Sequence, residues 1–140
     1  MKVKKIVELK SRFSFEAPIL PARIKKMRTI PAADSKEVLD LNQLLAPIPA
    51  NYYLVRVNGE SMIDEGILDG DILVVDRSAV PADGKVVIAA LNGELAVKTF
   101  RVIDGSVYLF SANKKFLPIE IKPFWEFEIQ GVVRHVIRKL

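Results

Sequence analysis

Cysteine is absent from this chain of 140 residues. That excludes disulfides, thiolate nucleophiles and cysteine metal sites, and it fits a reducing, cytoplasmic setting. Histidine occurs once, as His135, so a histidine-rich metal centre is excluded and a Ser-His-Asp triad would hang on that single residue. His135 sits inside the run Val132-Val133-Arg134-His135-Val136-Ile137, where a strand position is the simpler reading. No metal and no cofactor is expected, because neither common glycine-rich phosphate loop occurs. Carboxylate pairs such as Asp64-Glu65 and Asp69 with Asp71 lie beside turn signals, where they read as solvated or capping groups. No run approaches the ~18 consecutive apolar residues of a membrane helix. No cleavable leader is evident.

Glycine is missing from residues 1–58, whereas five of the eight prolines (Pro18, Pro21, Pro31, Pro47 and Pro49) fall in the first fifty positions. Together with the lack of any period, this predicts an extended arm over 1–50, relieved only by a short helical turn at Asp40-Leu41-Asn42-Gln43-Leu44-Leu45. The net charge of +4 is concentrated there: residues 1–30 carry +7, which leaves −3 for the remainder. With few aromatic side chains among the basic ones, the arm reads as a solvated basic segment before it reads as a nucleic-acid contact.

From Asn51 the pattern changes to short runs of Val, Ile, Leu, Tyr and Phe, which predicts an all-β domain over 51–140. The expected strands are 52–57, 71–77, 85–91, 94–103, 106–111, 124–129 and 132–139. Asn92-Gly93 and Asp104-Gly105 suit two-residue hairpin turns, so the third, fourth and fifth of these strands form a meander. Pro81-Ala82-Asp83-Gly84 and Asp69-Gly70 mark further turns. About seven short strands favour a curled sheet or small barrel over a flat sheet with open edges.

Two side chains stand out. Ser61 follows a strand and an Asn58-Gly59 break, in Val57-Asn58-Gly59-Glu60-Ser61-Met62-Ile63-Asp64. It can N-cap a short helical turn in a Ser-x-x-Asp box, or it can be a nucleophile beside unpaired backbone N–H groups. Lys98 alternates onto the same strand face as Ala96, Phe100 and Val102. Either its ammonium snorkels to water, or burial lowers its pKa toward that of a general base able to take the proton of Ser61.

The chain resembles the LexA/UmuD family of self-cleaving serine peptidases (S24 type) of the bacterial DNA-damage response. The likeness runs through Gly59-Glu60-Ser61-Met62-Ile63-Asp64, Gly66-Ile67, Asp69-Gly70-Asp71, Val74-Val75-Asp76, Val87-Ile88-Ala89-Ala90, Glu94, Val97-Lys98 and Gly131-Val132-Val133. Pro31-Ala32-Ala33-Asp34 and the Asp40 to Leu45 run give it a UmuD-like character. The resemblance implies a LexA/signal-peptidase-like curled β fold and a homodimer. It also implies a Ser61/Lys98 dyad, with the backbone N–H groups of Glu60 and Ser61 as oxyanion hole. Cleavage of the arm would be triggered by a RecA filament on single-stranded DNA, and the trimmed dimer would serve an error-prone translesion polymerase. The family cuts between a small residue or cysteine and a glycine, and that bond is missing here. Alignment from Pro31 points to Lys26-Met27, and Ala22-Arg23 is the shifted alternative. No helix-turn-helix pattern precedes the arm, so direct operator binding is not expected, and neither is membrane anchoring. A non-cleaving dimeric accessory module of the same fold is the second reading.

Overall fold

The computed structural model describes residues 1–8, 16–18 and 38–140. Among the described residues ten strands form: β1 (Lys2–Glu8), β2 (Glu16–Pro18), β3 (Val38–Asp40), β4 (Tyr52–Asn58), β5 (Ile72–Asp76), β6 (Val86–Leu91), β7 (Glu94–Ile103), β8 (Ser106–Phe110), β9 (Ile119–Glu120) and β10 (Phe127–Ile137). One short helix, α1 (Leu41–Leu45), starts where the Asp40 carboxylate accepts the N–H of Asn42 at 2.9 Å. No helix among the described residues is long and apolar enough to cross a membrane.

Eight strands make one antiparallel sheet in the order β1-β4-β5-β10-β6-β7-β8-β9, and a further pairing of β1 with β7 closes the first six into a barrel. Closure removes the exposed edges that an open sheet of this size would present. β2 and β3 pair separately. The expected all-β fold of curled sheet or small barrel is therefore what forms.

Alternation along the strands gives the sheet two apolar faces. Tyr53, Val55 and Val57 of β4, Leu73 and Val75 of β5, Ile88 of β6 and Val97 of β7 pack with Met1, Met62 and Ile67 into one buried cluster. Val87, Ala89, Leu109 and Val132 form a second, covered by Phe100, Ile119 and Phe127 among others.

Both predicted hairpins form as two-residue turns: Leu91 pairs with Glu94 and Ile103 with Ser106. Asn92, Gly93, Asp104 and Gly105 all take the positive φ that such turns demand. The turn expected at Pro81 to Gly84 lies one residue later, closed by Lys85 N–H on the Ala82 carbonyl at 3.1 Å with Gly84 at φ 85°.

Two expectations are corrected. The last two strands, read as 124–129 and 132–139, are one, since β10 continues through Gln130-Gly131 with register shifts on either side. Gly131 is there for lack of a side chain, not for a turn: a Cβ on it would lie 2.5 Å from Val75 Cγ1 and 3.0 Å from the Asp76 carbonyl. Residues 2–8, in the stretch read as an extended, solvated basic arm, are extended but hydrogen-bonded into the barrel wall.

Candidate active site

β4 ends at Asn58, and Gly59, at φ 101°, swings the chain out of the strand. The Asp69 carboxylate holds the Gly59 N–H at 2.8 Å, and Asn113 Nδ2 donates to the Glu60 carbonyl at 2.9 Å. Because a peptide unit is planar and trans, fixing the Glu60 carbonyl also fixes the opposite direction of the Ser61 N–H. Beyond the turn, Met62 is fully buried and a single 3-10 turn runs from Ile63 to Glu65. Ser61 is thus anchored on both sides and is only 2% exposed.

The capping role open to Ser61 is not realised. The 3-10 turn begins after Met62, and no side chain caps it. Ser61 Oγ instead accepts a hydrogen bond from the α-amino group of Met1.

Lys98 lies in β7 opposite Val87, half-buried. Its Nζ donates to Ser111 Oγ at 2.6 Å and stands 5.8 Å from the centre of the Phe116 ring. Burial holds its pKa below the usual 10.5. Among the described residues no carboxylate pairs with it. Ser61 and Lys98 do not bond to each other, yet both converge on the Met1 amine. That amine is lowered from 8.0 to about 6, by burial first, then by the charge of Lys98 and then by that of Lys2.

Met1 and Lys2 lie between two strand ends. Lys2 pairs with Asn58 of β4 on one side and Ala96 of β7 on the other, and the Met1 carbonyl accepts the Val97 N–H at 2.7 Å. The Met1 side chain enters the first apolar cluster, 6% exposed.

Of the residues singled out in the sequence, Glu60, Ser61 and Lys98 sit around this groove end. His135 faces Val74 across the β10–β5 ladder, as a strand residue does. Ala22, Arg23, Lys26 and Met27 lie outside the described residues. Three contributors went unnoticed: Met1, Ser111 and Asn113. A serine at a strand end and an asparagine in a loop carry no signal by themselves, and a first residue folded back across 60 positions leaves none in the local pattern.

The Peptidase S24-like family profile matches residues 18–134. The chain is 44% identical over 91 residues to the LexA repressor of Colwellia psychrerythraea, covering 64% of this chain and 43% of that one. It is 39% identical over 87 residues to LexA repressor 2 of Pseudomonas syringae pv. tomato, covering 62% and 43%. The matches thus take in less than half the length of these curated relatives.

Proposed function

Because the chain belongs to the Peptidase S24-like family, we propose that it is a self-cleaving serine peptidase of the bacterial SOS DNA-damage response, with Ser61 as nucleophile and Lys98 as general base. The observation that carries this reading is the desolvated Lys98, with no carboxylate partner among the described residues, at the same groove end as a buried serine on a braced turn. A lysine so placed loses its proton more readily than one in water, and a neutral amine can take the proton of a serine.

In the proposed reaction Ser61 Oγ attacks the scissile carbonyl carbon while Lys98 takes its proton. The backbone N–H groups of Glu60 and Ser61 receive the developing oxyanion, and the bracing of the Glu60–Ser61 peptide by Asn113 keeps the second donor aimed. Lys98 then gives the proton to the leaving amine, and water resolves the acyl-enzyme. The substrate would be the chain's own arm near Lys26-Met27 or Ala22-Arg23. A RecA filament would act as trigger, and the trimmed homodimer would regulate error-prone translesion synthesis.

The second reading, a non-cleaving dimeric accessory module for a translesion polymerase, is favoured by the absence of glycine from residues 1–58. Intact mass and amino-terminal mapping at pH ~10, where more of the lysine is neutral, separate the two. The parent should lose an amino-terminal fragment that a Ser61→Ala control retains. An intact parent, with a RecA filament on single-stranded DNA also failing to provoke cutting, would transfer the assignment to the accessory module.

A further inference from the structure

The groove that would receive a peptide at Ser61 already holds one. β1 is paired along β4 from Lys2 with Asn58 to Glu8 with Tyr53, and at its start it also bonds to β7. Met1 packs on Gly59, where a Cβ would come within 3.9 Å of the Met1 Cα, and fills the apolar end of the groove with its side chain. Its amine takes up the Ser61 hydroxyl. Recesses of about 280, 380 and 600 Å³ open elsewhere among the described residues, and none is lined by Ser61 or Lys98.

We propose that Met1–Glu8 is a displaceable, self-supplied occupant of the peptidase groove, which blocks Ser61 until another extended peptide takes its place. This rests on the peptidase reading for its consequence, but not for the binding itself.

Strand addition explains why the occupant can be exchanged. A peptide laid between β4 and β7 gains main-chain hydrogen bonds whatever its sequence, and selectivity comes from the pocket at one position. Here that pocket takes an unbranched apolar side chain, Met1, into the buried cluster that also holds Met62, Ile67 and Val97. Over residues 2–6 the side chains are weakly committed: Lys2, Lys4 and Lys5 are exposed and Ile6 is 50% exposed, which leaves Met1 and Val3 to anchor this part of the strand in the core. The pairing is also interrupted by a register shift between Val3 and Lys5.

The same geometry sets up a competition within one chain. β1 carries the backbone away from Ser61 for seven residues, roughly 23 Å at strand rise. Once β2 also parts from β3, the fourteen residues from Glu8 to Ala22 span up to ~46 Å when extended, enough to return. A bond near Ala22-Arg23 or Lys26-Met27 can therefore reach Ser61, but only when Met1 has left. A trigger that frees β1 would switch on cutting without altering the dyad.

The test separates binding from chemistry. In a Ser61→Ala background, a labelled synthetic peptide of residues 1–8 is titrated against the full chain, a chain lacking residues 2–8, and a full chain carrying Val3→Asp, which puts a charge where β1 meets the core. An occupant docked in about 99 molecules of 100 weakens apparent affinity about 100-fold. The shortened chain should therefore bind the peptide about 100-fold more tightly than the full chain, with Val3→Asp between them. Equal affinities overturn the proposal. So does a shortened chain that fails to fold together with a folded Val3→Asp chain that binds no better than its parent, because β1 would then be a permanent stave of the barrel. With Ser61 restored, the shortened chain should react with a serine-directed phosphonate faster than the full chain, and equal rates would remove the blocking role. Tight peptide binding in a protein whose Ser61 never reacts at any pH would leave the occupant in place and remove the peptidase reading instead.

Discussion

Two polar centres are pressed into this barrel, and they are built on opposite principles. At one, the Asp71 carboxylate, 1% exposed, takes Arg138 Nε at 2.7 Å and Nη2 at 2.6 Å and also accepts the Leu68 N–H at 2.7 Å. Arg138 adds a bond to the Gly66 carbonyl at 2.8 Å. The guanidinium hydrogen bonds hold the Asp71 pKa below the ordinary carboxylate value despite burial, so every charge has its complement. At the other, Lys98 and the Met1 amine are neighbours of like sign, and hydroxyl groups are their nearest partners. Both basic groups are pushed toward neutrality. The first arrangement ties the end of β10 to the loop after Ser61; the second lowers both basic pKa values, because a desolvated cation without a counter-ion gives up its proton easily.

The sharpest way to break the contrast is to remove one cation from each centre. Lys98→Met should lower self-cleavage by at least about 1,000-fold. The Tm should be unchanged or higher, since an apolar chain of similar length relieves a buried charge. Arg138→Met should do the reverse, lowering the Tm by stranding a buried carboxylate while leaving cleavage, once corrected for folded fraction, close to the parent. Mass mapping and thermal denaturation on both variants read the two effects. A fall in stability with Lys98→Met that matches its loss of cutting would mean the two centres are alike. The pH profile sharpens the point: cutting should climb about tenfold per pH unit below the Lys98 pKa, then level off short of the ordinary lysine value.

The barrel body was legible because its strands alternate and its turns carry Asn-Gly and Asp-Gly at two-residue spacing, which fixes register locally. The division of the last strand between 129 and 132 failed for a physical reason. A glycine can signal a positive φ or a close approach, and sequence does not say which; here Val75 and Asp76 lie where its side chain would be. Gly131→Ala should therefore cost roughly 1–3 kcal/mol through overpacking, measured by denaturant unfolding, and no loss would mean the strand can shift to make room. β1 was hidden differently: its lysines gave it the composition of a solvated arm, while its partners in β4 and β7 are 45 to 94 positions away. Ser61 and Lys98 could be picked out by motif, yet the contacts around them come from Ser111, across the β7–β8 hairpin from Lys98, and from Met1 and Asn113, which are remote in the chain from the groups they touch.

Ser111 tests whether the lysine is merely desolvated or also aimed. Its hydroxyl accepts from Lys98 Nζ, so Ser111→Ala should cut the cleavage rate about tenfold by freeing the amine to wander. Losing an acceptor of the ammonium should also move the pH profile to lower pH. Ser111→Thr, which keeps the hydroxyl, should restore most of the rate. A change in rate without a change in the pH profile would limit Ser111 to packing.

The smallest effect belongs to the Met1 amine, and its sign follows from proton counting. Docked beside Ser61, the amine has a pKa of about 6, against 8.0 when free. Between those values the released strand binds more protons than the docked one, so docking strengthens as pH rises through that window and weakens as pH falls through it. The positive charges of Lys98 and Lys2 are the neighbours that oppose the protonated amine. The residue 1–8 peptide should bind the shortened chain more tightly at pH 8 than at pH 6, by no more than about tenfold since the site is half open to screening water. An amino-terminally acetylated peptide should lose that dependence. If the acetylated peptide kept it, the titrating group would lie on the barrel and not on Met1, and the like-charged centre would owe its pH response to Lys98 alone.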